Sequence, residues 1–141
     1  MKTFMSRAAL AGLLMGVSVL ASAATPAPKG AEVSIVSPKD GATVPQTVVV
    51  KFAVENISLA PAGDPTKNSG HHHLLIDVDE LPAAGAPIPK DDNHLHYGGA
   101  QTQAEVTLTP GKHTLQLELG DSNHIPFDPP IVSEKITVNV K

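Results

Sequence analysis

The chain has 141 residues, ten basic against fourteen acidic side chains, a formal charge of −4 and no cysteine. Disulfides, iron–sulfur clusters and thiolate metal sites are thereby excluded. The acidic balance argues against nucleic acid as a partner, and the length fits one domain.

Met1 to Ala23 reads as a secretory signal. Lys2 and Arg7 precede an apolar core from Ala8 to Leu20, too short for a permanent span, and Ala21-Ser22-Ala23 is an A-x-A cleavage site. The expectation is a signal helix, then a protein of the periplasm or the medium with no stable membrane insertion. Without residues 1–23 the chain keeps 118 residues, eight lysines, fourteen acids and no arginine, a net charge of −6. No arginine clamp for phosphate or carboxylate is available. All three methionines lie in the signal, so a thioether ligand for Cu(I) or blue copper goes with it.

Residues 24–31 are rich in Ala, Pro and Gly and read as a flexible leader. From residue 32 to 141, apolar and polar residues alternate and no helical period appears. Strands are predicted around Val33–Ile35, Val48–Glu55, His71–Val78, Asn93–Tyr97, Ala104–Leu108, His113–Leu119 and Ile136–Val140, with Pro38–Gly41 and Pro110-Gly111 as turns. About seven short strands in roughly a hundred residues point to an all-β, immunoglobulin-like β-sandwich, a single domain behind the signal helix. Three long connections, Asn56–Gly70, Asp79–Asp92 and Gly120–Pro130, each abut a histidine cluster. Loops of this length are often functional.

Six of the seven histidines are His71, His72, His73, His94, His96 and His124. On a strand, residues i and i+2 share a face with Cα atoms about 6–7 Å apart. His71 with His73, and His94 with His96, can therefore converge on one ion. The candidate metal ligands are His71, His73, His94, His96 and His124, led by His73, His94 and His96, for a divalent transition metal, Zn²⁺ or Cu²⁺. Asp77, Asp91, Asp92 and Asp121 are available as further ligands or as acceptors behind the imidazoles. His72 and His113 share faces with leucines and read as structural histidines with one or two hydrogen bonds each. The paired Gly98-Gly99 reads as a turn, with a pocket beside His94 and His96 as its other use.

Catalysis has less behind it. No serine sits in a Gly-x-Ser-x-Gly elbow, and Ser122 beside His124 and Asp121 is only a local cluster. The aspartates show no EF-hand spacing.

Five segments occur in a characteristic order: Ser37–Val44, Gly70–Asp77, Asn93–Gly99, Pro110–Leu117 and Asp121–Pro126. As a set they resemble the exported bacterial family catalogued as domain of unknown function 4399, across nearly all of residues 24–141. The resemblance implies a periplasmic protein and no particular activity; the family pattern often carries a further histidine where this chain has Phe127. The expectation is a non-enzymatic periplasmic module that binds a divalent metal. The alternative is an interaction or ligand-binding domain whose histidines form a structural hydrogen-bond network.

Overall fold

In a computed structural model, the described residues are 24–141 together with Gly12 and Gly16. They form nine strands: β1 (Glu32–Ser37), β2 (Thr43–Val44), β3 (Thr47–Glu55), β4 (Ser58–Leu59), β5 (Ser69–Ile76), β6 (His94–Tyr97), β7 (Gln103–Thr107), β8 (Gly111–Gly120) and β9 (Ile136–Val140). One sheet has the order β1-β3-β7. The other runs β2-β9-β8-β5-β4, with β6 also paired to β5.

This corrects the expected immunoglobulin-like sandwich of about seven strands behind a signal helix. The domain is all-β with nine strands in two sheets, not closed into a barrel, and no helix occurs among the described residues. The expected signal helix falls on residues 1–23, outside the described ones apart from Gly12 and Gly16. The two additional strands, β2 and β4, have two residues each, and both pair in parallel, with β9 and β5. Two residues are too few for an alternation to register.

β3 shows why the alternation reads correctly elsewhere. Val48, Val50 and Phe52 are buried while Thr47, Val49 and Lys51 are exposed. These inward residues meet Leu74, Ile76, Leu115, Leu117 and Leu119 of the larger sheet in one shared core. Burying each such side chain contributes about 1.5–3 kcal/mol.

β5 departs from the pattern, because all eight of its residues are buried. Its inner face carries His72, Leu74 and Ile76, and its outer face carries His71, His73 and Leu75. A polar outer position of an antiparallel sheet ordinarily meets water. Here that face is covered, with Ile88 of the 79–92 connection and His124 of the 120–130 connection beside His73 and His96.

The segment read as a leader is tied to the same region. Pro26 bridges Asp128, Ala27 N–H donates to the Asp128 carbonyl at 2.9 Å, and Asp128 N–H donates to the Thr25 carbonyl at 2.9 Å.

Candidate metal centre

Register assembles the site. Antiparallel pairing sets His73 opposite Glu118 on β8 and opposite His96 on β6. The same pairing sets His71 opposite Gly120. Directly paired residues have Cβ atoms about 4.5–5.5 Å apart, so Glu118, His73 and His96 form one row across three strands on the outer face.

The fourth imidazole comes from the loop after β8. His124 has φ +64°, a left-handed conformation that costs an L-residue roughly 1–2 kcal/mol. Asp121 holds the loop there. Its Oδ1 accepts from Asn123 N–H at 2.8 Å and Ile125 N–H at 3.0 Å, and its Oδ2 accepts from the Thr25 hydroxyl at 2.7 Å. The His124 carbonyl in turn accepts from Ile88 N–H at 2.7 Å, which fastens the 79–92 connection over the site.

The result is that one ring nitrogen from each of His71, His73, His96 and His124 lies within 4.8 Å of all the others. Donors around a tetrahedral ion with bonds of 2.0–2.1 Å lie about 3.4 Å apart, so the ring nitrogens must draw together to fill such a site. His71 and His73 are each 1% exposed, while His96 and His124 are half-buried. His71 Nε2 and His124 Nδ1 share the one hydrogen bond among the four rings, at 2.9 Å. His73 Nδ1 and His96 Nε2 are buried with no partner. Buried polar atoms normally have partners, so these two point to a missing one.

Electrostatics keeps the rings in the ligating form. Burial, then the neighbouring His124 and His96, lowers the His71 pKa to about 4. Burial, then His71, His96 and His124, lowers that of His73 to about 3. His96 is lowered by burial, by His124 and by Lys90. These three are neutral imidazoles at pH 7, with a lone pair free for a cation.

Three glycines make the room. A Cβ on Gly98 would lie 2.5 Å from His96 Cε1 and 3.0 Å from the Ala62 Cβ. A Cβ on Gly120 would lie 2.7 Å from His73 Cε1, and one on Gly70 2.8 Å from the Gly120 carbonyl oxygen. Gly98 and Gly99 form the expected turn, and Gly98 also clears space beside His96. Gly120 and Glu118 carried no sequence signal of their own: a glycine ending a strand and a glutamate on a polar face are commonplace. Glu118 is nonetheless fully buried with both oxygens unpartnered, and burial raises its pKa to about 7.

The structure does not bring His94 into the group. It lies opposite Leu75, two pairs further along, and its Nδ1 is 2.7 Å from Asp91 Oδ1. Asp77 is likewise engaged elsewhere, with Oδ2 2.6 Å from His113 Nδ1. His113 Nε2 reaches the Thr109 carbonyl at 2.8 Å, so this histidine is satisfied as expected. His72 is not: it packs on Phe52 at 4.8 Å between ring centroids, with neither ring nitrogen hydrogen-bonded, and burial lowers its pKa to about 4.

No curated protein matches the chain. Two solved structures are similar, both at 14% identity. A fibronectin(III)-like module of Clostridium thermocellum CbhA aligns over 77% of this chain and 92% of its own, with a TM-score of 0.35. The PKD domain (329–428) of human KIAA0319 aligns over 89% of each chain, with a TM-score of 0.39. The family model for the domain of unknown function DUF4399 matches residues 50–141, which include all four clustered histidines, and the chain belongs to that family.

Proposed function

We propose that this protein is a non-enzymatic ligand-binding domain of the periplasm whose ligand is a divalent transition-metal ion, Zn²⁺ or Cu²⁺, held by His71, His73, His96 and His124. The observation that carries the reading is the convergence of one ring nitrogen from each of four histidines within 4.8 Å, in a cluster where His73 Nδ1 and His96 Nε2 are buried without a hydrogen-bond partner. An all-imidazole set suits borderline ions and disfavours Mg²⁺ and Ca²⁺, which take oxygen ligands. The periplasmic address rests on the signal pattern of residues 1–23 alone.

The second reading, an interaction domain whose histidines are structural, has one observation in its favour. The 2.9 Å bond between His71 and His124 joins the 120–130 connection to β5 without any ion. Elemental mass spectrometry of untagged protein, purified in buffers free of chelators, separates the two. Near-stoichiometric zinc or copper that is lost in His73→Ala/His96→Ala supports the metal reading. Protein that is metal-free and takes up no added ion, but loses stability in His71→Ala, supports the structural one.

A further inference from the structure

The four rings are not enclosed evenly. Behind them His71 is fully buried against β5 and Gly120. In front, a cavity of about 140 Å³ is walled by His73, His96 and His124 together with Pro87, Ile88 and Lys90. Three of the four histidines thus border a space that reaches solvent. It is far below the roughly 300–1,000 Å³ of pockets for drug-sized organic molecules, yet roomy for a few atoms. Pro87 and Ile88 give that wall no hydrogen-bonding side chain. Lys90 is its only formally charged side chain among the described residues, and its positive charge is felt at His96. The neighbouring Asp91 is turned away to His94 at 2.7 Å.

Four protein donors saturate a tetrahedral ion, but a tetragonal Cu²⁺ or a five-coordinate Zn²⁺ takes one more ligand where its shell faces open space. We propose that the ion in this site keeps one coordination position open toward the cavity, and that this position takes a small monoanion of the azide or cyanide class, drawn in by Lys90. The inference rests on the metal reading above and adds what that ion would bind. It follows from the cavity: room for only a few atoms, a lysine at the rim, and three of the four histidines on its wall.

Copper(II) and azide test it. The full chain is loaded with Cu²⁺, its copper content is measured, and azide is titrated while the ligand-to-metal charge-transfer band and the electron paramagnetic resonance spectrum are followed. The expected result is a saturable azide band with the nitrogen hyperfine pattern of the histidines retained. Lys90→Glu, an exposed substitution, should keep one copper per chain and weaken azide at least about tenfold. Copper bound without any azide band overturns the open position and leaves the metal reading standing. Loss of a histidine nitrogen on adding azide overturns it too, because the anion would then have displaced a ligand. Azide binding indifferent to Lys90→Glu overturns the anion assignment. A chain that takes up no copper removes the metal reading itself, and this inference with it.

Discussion

Two kinds of histidine share the larger sheet. His94 and His113 each lean on a carboxylate, Asp91 at 2.7 Å and Asp77 at 2.6 Å, at the surface. His71, His73, His96 and His124 have no acid partner and one hydrogen bond among them. The contrast is chemical as well as geometric. The Asp77 carboxylate raises the His113 pKa, favouring the imidazolium, whereas burial and crowding lower those of His71, His73 and His96. A histidine that holds a proton against a carboxylate is committed as a latch. One kept neutral with a free nitrogen is fitted to accept a cation.

The largest effect expected from this contrast is on metal affinity. His71→Ala/His73→Ala should weaken Zn²⁺ or Cu²⁺ binding by on the order of a thousandfold, since loss of even an outer-shell partner costs about 10–100-fold. His94→Ala and His113→Ala should change it by less than about threefold. Isothermal titration calorimetry on the three variants decides the matter, and equal losses in both groups would erase the distinction.

Acid should come next. A histidine whose folded pKa is depressed is protonated more readily in the unfolded chain, so stability is full above pH 6.5 and falls as pH drops toward the folded value. For His71 and His72 that value is about 4 and for His73 about 3, which places the loss between pH 6.5 and about 3. The metal-free protein should lose up to about 1.4 kcal/mol per histidine for each pH unit below 6.5. His113 acts in the opposite sense: its raised pKa gives stability present below pH 6.5 and lost as pH rises through the folded value. Urea midpoints at pH 7, 6 and 5 should fall steadily, and a bound divalent ion should raise them without flattening the fall, because the folded His71 and His73 carry no proton in this range with or without it. A midpoint that rises on acidification would mean that His113 and the buried Glu118 carboxyl outweigh the cluster.

The fold and the site were legible in the sequence to different depths. Long strands such as β3 announce themselves because nine alternating residues outweigh chance, while β2 and β4 cannot. The His-x-His spacings and the Asp121–Pro126 segment brought His71, His73, His96 and His124 into view, together with His94, which does not join them. Choosing between His94 and His96 needed the register of β5 against β6, a long-range quantity: His96 pairs with His73, and His94 with Leu75. Glu118 was hidden for another reason. Alternation reveals which residues leave the core face, but not whether a loop then covers them.

Glu118 extends the comparison to carboxyl groups. Asp77 and Asp91 are partnered at the surface, whereas Glu118 is buried beside His73 with neither oxygen bonded. Its folded pKa of about 7 lies above the ordinary 4.5, so folding favours the protonated acid. The stability this gives is present below pH 4.5 and disappears as pH rises through 7. Glu118→Gln should therefore gain on the order of 1–3 kcal/mol relative to the wild type at pH 8, and much less at pH 5. Chemical denaturation at both pH values reads the difference; an equal effect at the two would show that ionisation is not what the variant relieves.

The smallest effect should fall on the glycine that shapes the site. Alanine at position 98 would place its Cβ 2.5 Å from His96 Cε1, an impossible contact unless the ring moves. The ring is the far end of a flexible side chain, and the Ala62 Cβ at 3.0 Å asks for only a small shift. Gly98→Ala should thus cost about 1 kcal/mol of stability, the low end for overpacking. Displacing one donor of four should weaken metal binding roughly tenfold, far less than deleting two, because a misplaced imidazole still reaches the ion at some strain. Gly99→Ala is the control, since its Cβ would meet only the Gln101 side chain, at 3.2 Å. If both variants bind metal alike, His96 is not held in place by the space at Gly98, and its orphaned Nε2 needs another explanation.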